Sequence, residues 1–185
     1  MNRRLLATLA IALAAGPATI ILMEASDLSA QPAGKGVPAG KGMKNDPAFA
    51  ADRDVFHYLL EHRKDVKRTV KNLENGVETL TESNDADVAK KIREHAAAMH
   101  KRVKDGKGIH YRDPLFAEIF KYSDKITMKV EKTDKGVKVI ETSDDPYVAK
   151  LIQSHAAVVT KFIENGHDEV HKNHALPEKP DQKKP

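Results

Sequence analysis

The chain has 185 residues, 31 Lys and Arg against 27 Asp and Glu, a net charge of +4, nine His, and neither Cys nor Trp. Without cysteine there is no disulfide framework, cysteine zinc site, iron–sulfur cluster, covalently attached c-type haem, cysteine nucleophile or lipid anchor on an N-terminal Cys. Nearly balanced charges and few aromatic residues to stack on bases argue against nucleic acid as a partner.

The chain opens as an export signal. Met1-Asn2-Arg3-Arg4 is a positive n-region, and Leu5 to Met23 is apolar apart from Gly16-Pro17. Leu28-Ser29-Ala30 offers cleavage after Ala30, so residues 1–30 read as a signal peptide and the mature protein as periplasmic or secreted. An uncleaved anchor is the alternative; the Gly-Pro break in mid-run favours cleavage. No second run of spanning length follows, so no further membrane contact is expected. Residues 31–45 repeat Pro-Ala-Gly-Lys-Gly at 32–36 and 38–42 and read as a flexible linker. Residues 176–185 read as a disordered tail, leaving one domain over residues 46–175.

That domain carries an internal repeat. Shifted by sixty, Phe56–Gly106 aligns with Phe116–Gly166 without a gap, and 15 of the 51 positions are identical. The first repeat spans about residues 54–106 and the second about 114–166, with a His-containing extension over 167–175. Each begins with a helix whose apolar stripe holds Phe56, Leu59 and Leu60, or Leu115, Phe116, Ile119 and Phe120. Alternation of Ile126, Met128 and Val130 with Thr127, Lys129 and Glu131 predicts a strand with one face buried. Asn75-Gly76 and Lys135-Gly136 are expected to supply the positive-φ residue of a hairpin turn, with return strands over 77–81 and 137–141. Asp85 and Asp145-Pro146 start a long helix in each half, and Gly106 and Gly166 stop it. The predicted fold is α+β: a tandem duplication of an αββα unit, antiparallel strands covered by helices, with a pseudo-two-fold axis.

Histidine carries the candidate chemistry. His155 lies near the centre of the stripe formed by Val148, Leu151, Ile152, Ala156, Val159, Phe162 and Ile163, and His95 occupies the same place beside Val88, Ile92, Ala96, Met99 and Val103. Two inward imidazoles brought together by a two-fold axis could ligate a transition metal such as Cu or Zn, or clamp haem b from both faces. Met99, one turn after His95, would suit Cu(I) or an axial haem position; ordinary packing explains it equally. The plainer alternative makes His95 and His155 core residues satisfied by backbone carbonyls. His167, His171 and His174 have spacing i, i+4, i+7, so one short helix would align them as a low-specificity metal face; a solvated extension is the alternative. His57 and His62 point to different faces of the first helix and are not repeated, while His100 and His110 are expected to be exposed. There is no nucleophile elbow, phosphate loop or dinucleotide fingerprint, so no catalytic residues are assigned.

The run Phe56-His57, His62, Asn75-Gly76-Val77, Thr81-Glu82-Ser83, Asp113-Pro114-Leu115-Phe116, Glu141-Thr142-Ser143-Asp144-Asp145-Pro146 and His171 to His174 resembles a group of exported bacterial duplicated-domain proteins with no assigned activity. The resemblance covers about residues 54–176. It implies an exported, duplicated domain and transfers no site residues. The functional expectation is a binding protein holding a metal or haem through His95 and His155, with His57, His62, His167, His171 and His174 as accessory candidates. The alternative is a structural or protein-interaction module of the cell envelope without a cofactor. An enzyme using His95 or His155 as a base ranks behind both.

Overall fold

The computed structural model describes residues 46–179; the expected signal segment 1–30, the expected linker 31–45 and residues 180–185 of the expected tail lie outside the described residues. In order these form α1 (Phe49–Glu61), β1 (Val66–Leu73), β2 (Gly76–Ser83), α2 (Ala86–Asp105), α3 (Pro114–Lys121), β3 (Thr127–Thr133), β4 (Gly136–Thr142), α4 (Pro146–Asn165) and α5 (His167–Val170). A 3₁₀ turn, Arg63–Asp65 or Ser123–Lys125, links α1 to β1 and α3 to β3.

Helix starts are set by aspartates. Asp85 Oδ1 accepts from the backbone N–H of Asp87 at 2.9 Å and of Val88 at 3.0 Å, and Asp145 Oδ1 does the same for Tyr147 and Val148 at 3.0 and 3.4 Å. Such caps satisfy donors that a helix cannot satisfy itself, each worth about 1 kcal/mol. Asp113 caps α3, with Pro114 already at the helical φ behind it. α2 ends at Gly106, whose φ of 63° is the left-handed stop expected of glycine.

The four strands form one antiparallel sheet in the order β1-β2-β4-β3. In the central pair Thr79 lies opposite Val139, Val77 opposite Glu141 and Thr81 opposite Val137. Exchanging each residue for the one sixty away returns the same pairs. Loop contacts are reciprocal too: Ser83 N–H donates to the Lys135 carbonyl and Ser143 N–H to the Asn75 carbonyl, both at 2.9 Å.

Gly76 and Gly136 do not play the turn role expected of them. The turn residues are Glu74-Asn75 and Asp134-Lys135, and each glycine already pairs as the first residue of its return strand. Gly76 is near-extended at φ 159°. The need for glycine is spatial: a Cβ on Gly76 would stand 1.9 Å from the Glu141 carbonyl oxygen, and one on Gly136 2.0 Å from that of Thr81.

One face of the sheet, with Val77, Thr79, Val137 and Val139, is buried beneath the helices. The other carries charged pairs such as Lys138 Nζ to Glu78 Oε2 at 3.3 Å. Each long helix lies over the other half's hairpin. α2 contacts β3 and β4, with Val88, Ile92 and Ala96 packed against Val137 and Val139. α4 contacts β1 and β2, placing Val148, Leu151 and Ile152 against Val77. Polar clasps follow the same crossing: Gln153 Nε2 on α4 donates to the Leu73 carbonyl at 2.8 Å, and Arg93 Nη1 on α2 to the Asp134 carbonyl at 3.4 Å. The buried Arg102 holds Asp46 (2.7 Å) and Asp52 (2.6 Å), tying the start of the domain to the end of α2. Among the described residues no helix is long and apolar enough to cross a membrane.

Gly76→Ala and Gly136→Ala are each expected to cost about 3 kcal/mol because a methyl group meets backbone. Gly106→Ala, which meets only Ser123 Oγ at 3.6 Å, should cost about 1 kcal/mol for its positive φ. Urea unfolding of the three variants checks the order; equal losses would contradict the packing argument.

Candidate functional site

Between the sheet and its helices the side chains leave a cavity of about 420 Å³. Well-packed interiors leave few voids larger than a water, whereas ligand sites occupy roughly 300–1,000 Å³. The floor is the inward face of the strands and includes Arg68, Thr79, Thr81, Met128, Val139 and Glu141. α2 contributes His95 and Met99, α4 contributes His155, Val159 and Phe162, and α1 and α3 contribute Phe56 and Phe116.

Rings run from one histidine to the other. His95 stacks on Phe56 at 6.0 Å between centroids, Phe56 meets Phe162 edge-on at 5.8 Å, Phe162 stacks on Phe116 at 5.8 Å, and Phe116 meets His155 edge-on at 5.0 Å. The spacings are those of favourable offset and edge-to-face contacts. Phe56 and Phe116 are equivalent residues, as are His95 and His155, whereas Phe162, which joins the two ends of the row, aligns with Arg102 and has no aromatic counterpart.

The expectation of core histidines satisfied by backbone carbonyls is not what the geometry shows: Nδ1 of both His95 and His155 is buried without a partner. Each ring nonetheless keeps accessible surface where it lines the cavity. Burial pushes both imidazoles down to about 4. Both are therefore neutral at physiological pH, the form that can donate a lone pair to a metal. Met99 lines the same cavity.

The remaining histidines divide. His57 borders the cavity from the exposed side of α1, with the His167 ring edge-on at 5.7 Å. His62 donates Nδ1–H to the Tyr58 carbonyl at 2.9 Å and stacks on the Tyr58 ring. The helix expected to align His167, His171 and His174 ends at Val170. His167 and His171 are exposed, while His174 turns inward with Nδ1 2.5 Å from Asp113 Oδ2 and Nε2 3.1 Å from Glu169 Oε1. A three-residue face does not form because both His174 nitrogens are engaged by carboxylates that dock the C-terminal segment on the start of α3. Among the described residues no group of three or more His, Asp or Glu is placed to hold a metal ion.

Three cavity residues were not among the sequence candidates. His110, expected to be exposed, is half-buried against Phe116 at 4.9 Å, with Nε2 buried and unpartnered and φ at 59°. Positive φ is uncommon outside glycine, and histidine is among the residues that adopt it most readily. Burial lowers its imidazole from the ordinary value. Arg68 donates from Nη1 to Thr81 Oγ1 at 2.6 Å, while its Nε is buried without an acceptor. Burial lowers the guanidinium to about 10 and raises the Glu141 carboxyl. One signal was available for Arg68: it aligns with Met128, an inward position of the second strand pair. No family model, curated protein or solved structure matches the chain.

The depressed imidazoles set an acid dependence. Between the ordinary value of 6.5 and about 4, the unfolded chain binds protons at His95 and His155 that the folded protein does not. Their effect on stability is absent above pH 6.5, and stability falls as pH drops through that window by about 3 kcal/mol per histidine. Urea unfolding at about pH 7 and about pH 4.5 should show that loss, and His95→Leu/His155→Leu should flatten it. An unchanged pH slope in the double variant would refute the assignment.

Proposed function

We propose that this protein is an exported binding protein that holds haem b in the cavity, where His95 and His155 would be the residues that bind its iron. One observation carries the reading: two equivalent, neutral, unpartnered imidazoles border a single apolar cavity of binding-site size, with an aromatic wall between them. A bare Cu or Zn site built by a protein uses three or four side-chain ligands. Haem brings four nitrogens of its own and asks the protein for one or two, which suits a pair. When bound, the iron would supply ligand-binding or electron-transfer chemistry, while the protein's part is to supply neutral imidazoles and exclude water. Met99, one of two methionines that line this cavity, could replace one imidazole with a thioether.

Metal-bound histidines usually donate their second nitrogen to a carboxylate or carbonyl, which stiffens the ring. Neither Nδ1 has such a partner here. Haem held this way would exchange readily, as a carrier requires. Delivery to the periplasm or outside the cell follows from the signal-like residues 1–30. The repeated order of elements and the reciprocal central register support reading the domain as a duplicated αββα unit, which would explain why the histidine occurs twice.

The protein, purified without a histidine tag, is expected to give a Soret band and resolved visible bands of six-coordinate haem on titration with haemin. Each single His→Leu change at 95 or 155 should weaken binding at least tenfold, and the double change should abolish the spectrum. A spectrum indistinguishable from free haemin would overturn the reading in favour of an interaction module without a cofactor.

A further inference from the structure

The cavity wall repeats its histidine and one phenylalanine in the two halves, but the floor differs in charge. Residues 68 and 128 are equivalent, as are 81 and 141, and all four line the cavity. One half has Met128 and the other Arg68; one half has Thr81 and the other Glu141. A cation and a carboxyl thus replace an apolar side chain and a hydroxyl in a space whose other walls are mostly apolar.

The two charged groups do not neutralise each other by contact. Arg68 has its hydrogen bond to Thr81 and a buried Nε without an acceptor, and among the described residues no carboxylate forms an ion pair with it. Glu141 acts on it only through space. A guanidinium is a planar fork of N–H donors matched to a carboxylate, and buried ones are ordinarily paired. The side chain stays charged at neutral pH even with its lowered value near 10. Of the other arginines bordering the cavity, Arg53 and Arg112 are exposed and Arg53 is already bonded to Asp54, while half-buried Arg63 lies against Gly166; none of them has the buried nitrogen without an acceptor that Arg68 has.

We infer that Arg68 is the binding residue for a carboxylate carried by an otherwise apolar ligand, which enters the cavity in one orientation with its acid group beside Thr81 and away from Glu141. This rests on the reading of the cavity as a ligand site, and not on which residues ligate iron. Two sources share the chemistry: a haem propionate and the head of a free long-chain acid.

Binding of haemin and of cis-parinaric acid, each against its methyl ester, tests the inference by absorbance and fluorescence. Wild-type protein should bind at least one acid tenfold or more tightly than its ester, and the acid that shows the preference identifies the source. Arg68→Met introduces the residue already present at the equivalent position. It should weaken that acid tenfold while leaving its ester unchanged, with circular dichroism as the check on folding. Arg68→Lys, which keeps the charge without the fork, should retain part of the preference. His95→Leu/His155→Leu should lose the haem spectrum yet keep an acid preference measured with cis-parinaric acid, so failure of the axial assignment and failure of this inference are separate results. Equal binding of acid and ester by the wild type, an equal loss of both in Arg68→Met, or binding of neither acid would overturn it.

Discussion

At Gly76 and Gly136 the backbones of β2 and β4 approach so closely that a single methyl group would meet a carbonyl oxygen within about 2 Å. That contact fixes the register, since a slip of one residue would bring a Cβ into the gap and turn every side chain to the opposite face. With Thr79 set opposite Val139, residues 77, 79 and 81 and residues 137, 139 and 141 share the inward face. The long helices are then placed by what that face offers them. Each finds its apolar partners in the opposite hairpin, and the histidines at 95 and 155 arrive over the same floor.

What they enclose is not well filled by protein. About 420 Å³ lies between the side chains, where a well-packed interior leaves few voids larger than a water. Among the described residues, four of the five buried side-chain polar atoms without a hydrogen bond, His95 and His155 Nδ1, His110 Nε2 and Arg68 Nε, belong to residues of this cavity; the fifth, Arg102 Nη2, lies 2.6 Å from Asp52 Oδ2. Buried unpaired groups are costly wherever they occur, and a single shared location for four of them marks a site rather than four separate defects. Elsewhere polar groups are paired carefully, as in the double engagement of His174 by Asp113 and Glu169.

Local chemistry made much of this fold legible from sequence. The aspartate caps, the glycine stops, the strand alternation and the inward placement of His95 and His155 depend on neighbours a few residues away. Contacts between distant segments were less visible. Gly76 looked like a turn residue because Asn-Gly is a common turn pair, whereas its true constraint is a carbonyl on another hairpin. His174 looked like the end of a helical face because the pull of Asp113, sixty-one residues earlier, leaves no trace in local spacing. His110 sits in the segment between the repeats, where no internal copy offers a comparison. Arg68 and Glu141 were accessible in principle: carrying the inward pattern of one half onto the other puts a charge where the aligned residue has none.

The crossing of the long helices also orders events in time. The first hairpin is covered by α2 over β2 and by α4 over both β1 and β2, and Gln153 reaches back eighty residues to the carbonyl of Leu73. A chain emerging from its N-terminal end, whether from a ribosome or through a membrane pore, presents β1 and β2 long before the helix that closes over them exists. An isolated hairpin is marginal in water. β1, whose main helix contact is α4, therefore completes its packing only once that helix has been made.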